Sequence, residues 1–258
     1  MRLGGALFLL LLLAAAPAAA EDPICADRPG KATPTCTVPP GKTQVEIGLV
    51  DWSHDRSGGV RSESLTIGDT AVKFGVTDRL HIEFDLTPFT KAREGSDSVS
   101  GLGDAGIALK YRVTANEAQV QVALYPFVKL PTAHHPLGNG KVEGGIALLA
   151  DSTFGASSVG WDVAPEVDLL ADSDGSGYHV ALANALSIGV PLTDRLTVSG
   201  ELWGAWDFDP EGTVRQYSID AAAALLLSDD VQVDAGLNLG LNRNTPDVEL
   251  YSGIAFRF

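Results

Sequence analysis

Basic residues are scarce in this chain: 18 Lys and Arg stand against 33 Asp and Glu, a formal net charge of −15. Such a balance repels polyanions, and no local run of Lys or Arg offsets it, so nucleic acid is not expected as a partner. Charge of both signs together is also low, at 20% of residues against 45% hydrophobic, which excludes an intrinsically disordered chain. Cysteine is nearly absent. Cys25 and Cys36 are the only two, and without a further Cys or a nearby His they make no zinc site. Long apolar runs are missing after the first twenty residues, the longest being residues 221–227, far short of the ~20 that a spanning helix needs. Catalytic signatures are lacking too. The five histidines, His54, His81, His134, His135 and His179, are accompanied by no Ser-centred elbow, zincin helix or glycine-rich phosphate loop, and His134 with His135 sits in a loop as a surface pair. No enzyme, cofactor or metal is expected.

What is present begins with a leader. Arg2 supplies a positive start, residues 6–16 an apolar centre, and Pro17 to Ala20 a small-residue end, so residues 1–20 are expected to be a cleaved signal peptide. Export to an oxidising compartment favours a Cys25–Cys36 disulfide within residues 21–42, a Pro-rich stretch expected to be a periplasmic N-terminal extension. Residues 43–258 then form the main domain.

That domain reads with period two. In RLHIEFDLTPF, Leu80, Ile82, Phe84 and Leu86 alternate with His81, Glu83 and Asp85, and the pattern repeats in AQVQVALYPFVKL and VQVDAGLNLGLN. Twelve strands are predicted, at roughly 43–52, 64–76, 79–88, 104–113, 118–130, 142–151, 159–170, 178–190, 195–206, 215–227, 231–241 and 248–258, with a bulge near Gly68. Connections alternate. Short Asp/Ser/Thr turns such as Thr77-Asp78 and Thr193-Asp194 mark one end, while longer loops such as SHDRSGGVRSE, TKAREGSDSVSGLG, PTAHHPLGNGK and DFDPEGTV mark the other. An even strand count with both termini at the short-turn end is the layout of a bacterial outer-membrane barrel.

Alternation does not say which face is inside, and a secreted soluble β-barrel or sandwich has the same pattern with the apolar face as its core. The end of the chain decides for the membrane. VELYSGIAFRF places Tyr251, Gly253, Phe256 and Phe258 as a terminal assembly signal, an aromatic last residue preceded by alternating apolar positions. The fold class expected is therefore all-β, a transmembrane antiparallel up-and-down barrel of about 12 strands. Its surroundings would be outer-membrane lipid, its termini periplasmic and its long loops extracellular, and the barrel assembly machinery would engage the C-terminal strand.

GLGDAGIALKYRV (residues 101–113), YPFVKLPTA (125–133) and the closing VQVDAGLNLGLNRNTPDVELYSGIAFRF resemble the outer-membrane transporter family named for the meta-pathway of phenol degradation. The resemblance covers nearly all of the chain after the extension. It implies a porin-like barrel that passes small, aromatic compounds, and it brings no catalytic residues.

With the apolar face on lipid, the opposite face lines the lumen. Strand parity predicts an acidic wall of Glu143, Asp151, Asp162, Glu166 and Asp168, which favours cations or polar neutral solutes. Glu83 and Asp85 are expected to form a charge ladder with Lys110 and Arg112. Tyr125, Phe127, Trp203 and Tyr251 also face inward, either as a stacking surface for aromatic solutes or as filling for a narrow barrel. The function expected is passive passage of small solutes. The competing reading is a barrel that serves a structural or surface-interaction role without transport.

Overall fold

A computed structural model describes residues 22–258; the expected signal peptide lies outside the described residues. Fifteen strands follow one another: β1 (Thr43–Ser57), β2 (Val60–Ile67), β3 (Asp69–Thr77), β4 (Leu80–Leu86), β5 (Phe89–Glu94), β6 (Asp97–Gly101), β7 (Ala105–Arg112), β8 (Gln121–Leu130), β9 (Glu143–Thr153), β10 (Gly160–Ala171), β11 (Tyr178–Pro191), β12 (Leu196–Asp207), β13 (Val214–Ser228), β14 (Val231–Gly240) and β15 (Val248–Arg257). Every pairing is antiparallel, and β15 pairs back onto β1 from Gln44↔Arg257 to His54↔Val248. That pairing closes a ring of twelve, β1, β3, β4 and β7 to β15. Closure leaves the ring no unpaired backbone edge, the condition for a sheet that crosses hydrocarbon.

The remaining three strands rise from the same staves. Gly68, at φ +76°, is the bulge that separates β2 from β3 along one continuous path. Thr87 and Pro88 interrupt β4 and β5 in the same way, and residues 102–104 interrupt β6 and β7. Above these breaks, β1, β2, β5 and β6 form a four-stranded flange beyond the ring. The sequence reads SHDRSGGVRSE and TKAREGSDSVSGLG as loops; both are hairpins, turning at Gly58-Gly59 and at Gly95, all three with positive φ. Their strands carry polar residues on both faces, so alternation of hydrophobicity has nothing to reveal there.

Burial is inverted relative to a soluble protein. Lys73, Lys110 and His81 are 1%, 0% and 1% exposed, while Phe84 and Leu202 are 46% and 54% exposed. Apolar side chains thus form the outer band, the arrangement of a barrel whose solvent is lipid. The inner wall is low where β8 to β11 present Ala123, Ala147, Ala164 and Ala185, all buried.

Candidate functional site: the lumen and its N-terminal segment

Residues 22–42, expected as a periplasmic extension, lie instead across the inside of the ring. Hydrogen bonds from this short stretch reach β1, β4, β9, β12 and β14, strands on every side of the barrel, and only an interior path can do that. The physical reason is charge. A polar lumen that is narrow enough to exclude bulk water leaves its carboxylates and ammonium groups without partners, and the segment supplies them.

Its contacts are specific. Asp27 receives the ammonium of Lys73 at 2.6 Å and that of Lys110 on its other oxygen, while its own N–H donates to Glu46 at 3.1 Å. Lys73 also pairs with Glu46. Burial by itself would raise the Asp27 carboxyl, but Lys110 and then Lys73 outweigh it and hold the group well below the usual carboxylate range. Arg28 meets Asp234 with two nitrogens, at 3.3 and 3.1 Å, a bidentate clamp. Lys31 reaches Asp220 at 3.0 Å and stands over the Trp203 ring at 5.4 Å. The backbone N–H groups of Lys31 and Ala32 donate to Glu201 at 2.9 and 2.7 Å, that of Thr35 to Asp151 at 2.8 Å, and that of Val38 to His81 Nδ1 at 3.1 Å. The Cys25–Cys36 disulfide brackets Asp27, Arg28 and Lys31. Two glycines make room: a Cβ on Gly75 would overlap the Pro39 carbonyl, and one on Gly253 would overlap the Arg28 guanidinium.

Asp27, His81 and Glu83 bring three ligand-type groups together. Both Asp27 oxygens already hold lysines, and His81 Nδ1 accepts the Val38 N–H, so the lysines supply the positive charge that a cation would otherwise bring.

The residues expected to form the charge ladder are brought near one another but pair differently. In the β4–β7 register Glu83 stands opposite Ala108 and Asp85 opposite Gly106, while Lys110 faces His81. Lys110 therefore turns to Asp27 and to the Pro34 carbonyl, at 3.0 Å from the latter, and Glu83 lies 3.9 Å from Lys73. Arg112 points to the Asp78 carbonyl and Asn116, at 2.7 and 2.6 Å.

The acidic wall divides. Glu143 is neutralised by Lys129 at 2.8 Å, near the long-loop end, and Asp151 is capped by Thr35. Asp162 stands directly opposite Asp151, and Glu166 and Asp168 follow it up β10; among the described residues these three have no basic partner. Asp162 and Glu166 border the space that the segment leaves open, whereas Asp168 packs against Gly145. Asp162 lines a cavity of about 310 Å³ beside residues 24–34, and Glu166 lines one of about 160 Å³ with Lys31, Tyr125 and Trp203. Tyr125 lies 6.2 Å from Phe127, ring to ring, and 5.5 Å beneath the Lys110 ammonium, while Tyr251 packs over Gly236.

Asp27, Arg28 and Lys31 are the functional residues that pattern reading misses. The signal was there in weak form: three charges inside a disulfide-bracketed stretch, next to a lumen with more carboxylates than bases.

No curated protein sequence matches this chain. Among solved structures, an outer membrane channel from Pseudomonas putida F1 is similar, with TM-score 0.76 and 17% identity over 90% of this chain and 99% of that one. The β domain of the Bordetella autotransporter BrkA gives TM-score 0.55 and 12% identity over 85% of this chain and 100% of that one. The NanC porin gives 0.54 and 10% over 83% and 98%. At these identities the likeness is one of fold. A family described as "Putative MetA-pathway of phenol degradation" matches residues 26–258, from within the lumenal segment to the last residue, and the chain belongs to that family.

Proposed function

We propose that this protein is a channel of the outer membrane for passive passage of small solutes, and that it favours cationic and neutral polar ones. The observation that carries this reading is the uneven occupation of the lumen. The segment neutralises Asp220 and Asp234 on one side with Lys31 and Arg28, while Asp162 and Glu166 border open space on the other. A solute that threads between segment and wall therefore meets acidic groups that no basic side chain pairs, at close range, where fields are strong.

Tyr125 and Trp203, which line the smaller cavity, extend the reading to aromatic solutes. The termini are taken as periplasmic, the long loops as extracellular, and the terminal Tyr251, Gly253, Phe256 and Phe258 as the signal that the assembly machinery reads. Phe256 and Phe258 lie 5.4 Å apart, ring to ring, beside the β1–β15 seam, where an assembly factor would meet the last strand before closure.

Swelling of liposomes that contain the protein tests the reading. Amino sugars are expected to enter faster than neutral sugars of equal size, and sugar acids slowest. Phenol uptake should fall in Trp203→Ala relative to wild type; equal rates would remove the aromatic extension. A filled lumen also favours a second reading, a barrel that does not conduct, and the absence of swelling with any solute would establish that one instead.

A further inference from the structure

The flange has a second face that plays no part in the lumen. Cross-strand partners share a face, so the register assigns it. Leu250, which is 46% exposed on the lipid side, stands opposite Trp52; Trp52 stands opposite Leu65, and Leu65 opposite Lys91. One pleat further from the ring, His54 faces Glu63, and Glu63 faces Arg93. Beyond these, Arg56 faces Arg61. Ser53, Asp55, Ser62 and Ser64 take the alternate positions and line the inner mouth.

The outer face of the flange therefore carries Arg56, Arg61, Lys91 and Arg93 against the single carboxylate of Glu63. In a chain with 18 basic residues and net charge −15, this is a concentrated reversal of sign. Glu63 lies 2.6 Å from Arg61 and 3.5 Å from Arg93, which holds the two guanidinium groups side by side, and their side chains remain 63% and 48% exposed. Immediately below, exposed Ile67 and Phe89 pair across β2 and β5 and continue the apolar band. Trp52 lies flat against His54, with ring centroids 5.9 Å apart and planes 4° apart, at the same border.

Cations just past the end of an apolar, aromatic-edged band stand at the depth of lipid headgroups, and paired guanidinium groups match phosphate oxygens. We propose that this face binds the phosphates of the anionic glycolipid of the leaflet around the long-loop end. The proposal rests on the reading that the long loops are extracellular, and it is independent of whether the lumen conducts, because the patch faces away from it.

The test is binding of bisphosphoryl lipid A to the full barrel in detergent micelles, followed by native mass spectrometry, with dephosphorylated lipid A as the second ligand. Bisphosphoryl lipid A is expected to bind at least about ten-fold more tightly than the dephosphorylated form. The pair Arg61→Gln and Arg93→Gln should weaken it about five-fold per charge removed. Arg79→Gln, in the turn at the opposite end, should bind as wild type. Lys91→Gln, which disturbs no ion pair, provides the same comparison should the double variant fail to assemble. Equal affinity for the two lipid forms, or unchanged affinity in both the double variant and Lys91→Gln, overturns the proposal. Phosphate-dependent binding to a barrel that does not conduct supports it and overturns the channel reading alone; phosphate-dependent binding with surface labelling that places the flange in the periplasm supports the patch and overturns the orientation.

Discussion

Asp27 joins the N-terminal segment to two buried lysines on β3 and β7, the strands on either side of β4, so its removal takes from Lys110 its carboxylate and leaves Lys73 to Glu46 and Glu83. Breaking a buried pair from one side costs about 3–5 kcal/mol, because the orphaned charge stays desolvated. Asp27→Asn is therefore expected to release the segment, read as loss of hydrogen-exchange protection at the Lys31, Ala32 and Thr35 amides that donate to Glu201 and Asp151. Asp27→Glu should retain most of it. The sign of the pH dependence follows from the depressed carboxyl. A group held below its unfolded value near 4 contributes its full stabilisation above that value and loses it only as pH falls through the lower folded value. The difference in protection between wild type and Asp27→Asn should thus stay constant from pH 8 to pH 5. A difference that fades within that window would mean that Asp27 is not the anchor.

At the scale of elements, glycine positions distinguish docking of the segment's backbone from docking of one side chain. Gly75→Ala drives a methyl into the Pro39 carbonyl, which only a shift of backbone relieves, whereas Gly253→Ala meets the Arg28 side chain, which has other rotamers. Overpacking costs about 1–3 kcal/mol. Gly75→Ala should expose residues 38–42 to protease, and Gly253→Ala should leave them protected while it weakens the Arg28–Asp234 clamp. Equal protease sensitivity of the two variants would contradict this. The twelve staves were legible in the sequence because a lipid-facing side chain alternates with a polar one along each of them, as Phe84 does with Glu83 and Asp85. The bulge at Gly68 was legible because the phase changes there. The flange was not, since polar residues such as Arg61, Glu63 and Ser64 occupy both of its faces and leave no alternation to read. Nor was the segment: its partners lie as far as 235 residues away, as in the Asp22 carbonyl with Arg257, and a Pro-rich stretch without periodicity looks the same whether it hangs outside a barrel or crosses one.

For the whole molecule, the composition that reads as an acidic protein resolves into three zones: an apolar outer band, a lumen in which a covalently attached strip of cations meets one wall, and a flange with a basic outer face. The disulfide keeps Asp27, Arg28 and Lys31 in one short loop of separation 11. Restraint of that kind contributes about 2–4 kcal/mol by limiting the alternatives open to the chain. Cys25→Ser with Cys36→Ser is expected to raise the frequency of current fluctuations in a planar bilayer, and an unchanged open-channel noise spectrum would show that the charges alone hold the segment.

The central claim is that the segment leaves a route along β10 lined by Asp162 and Glu166, with Asp168 next on the same face. It is tested most directly by the reversal potential of single channels under a potassium chloride gradient. Wild type is expected to reverse at a potential of the sign that marks preference for potassium, and Asp162→Asn with Glu166→Gln and Asp168→Asn should move the reversal toward zero. Reversal on the chloride side in wild type, or an unmoved value in the triple variant, would contradict the account.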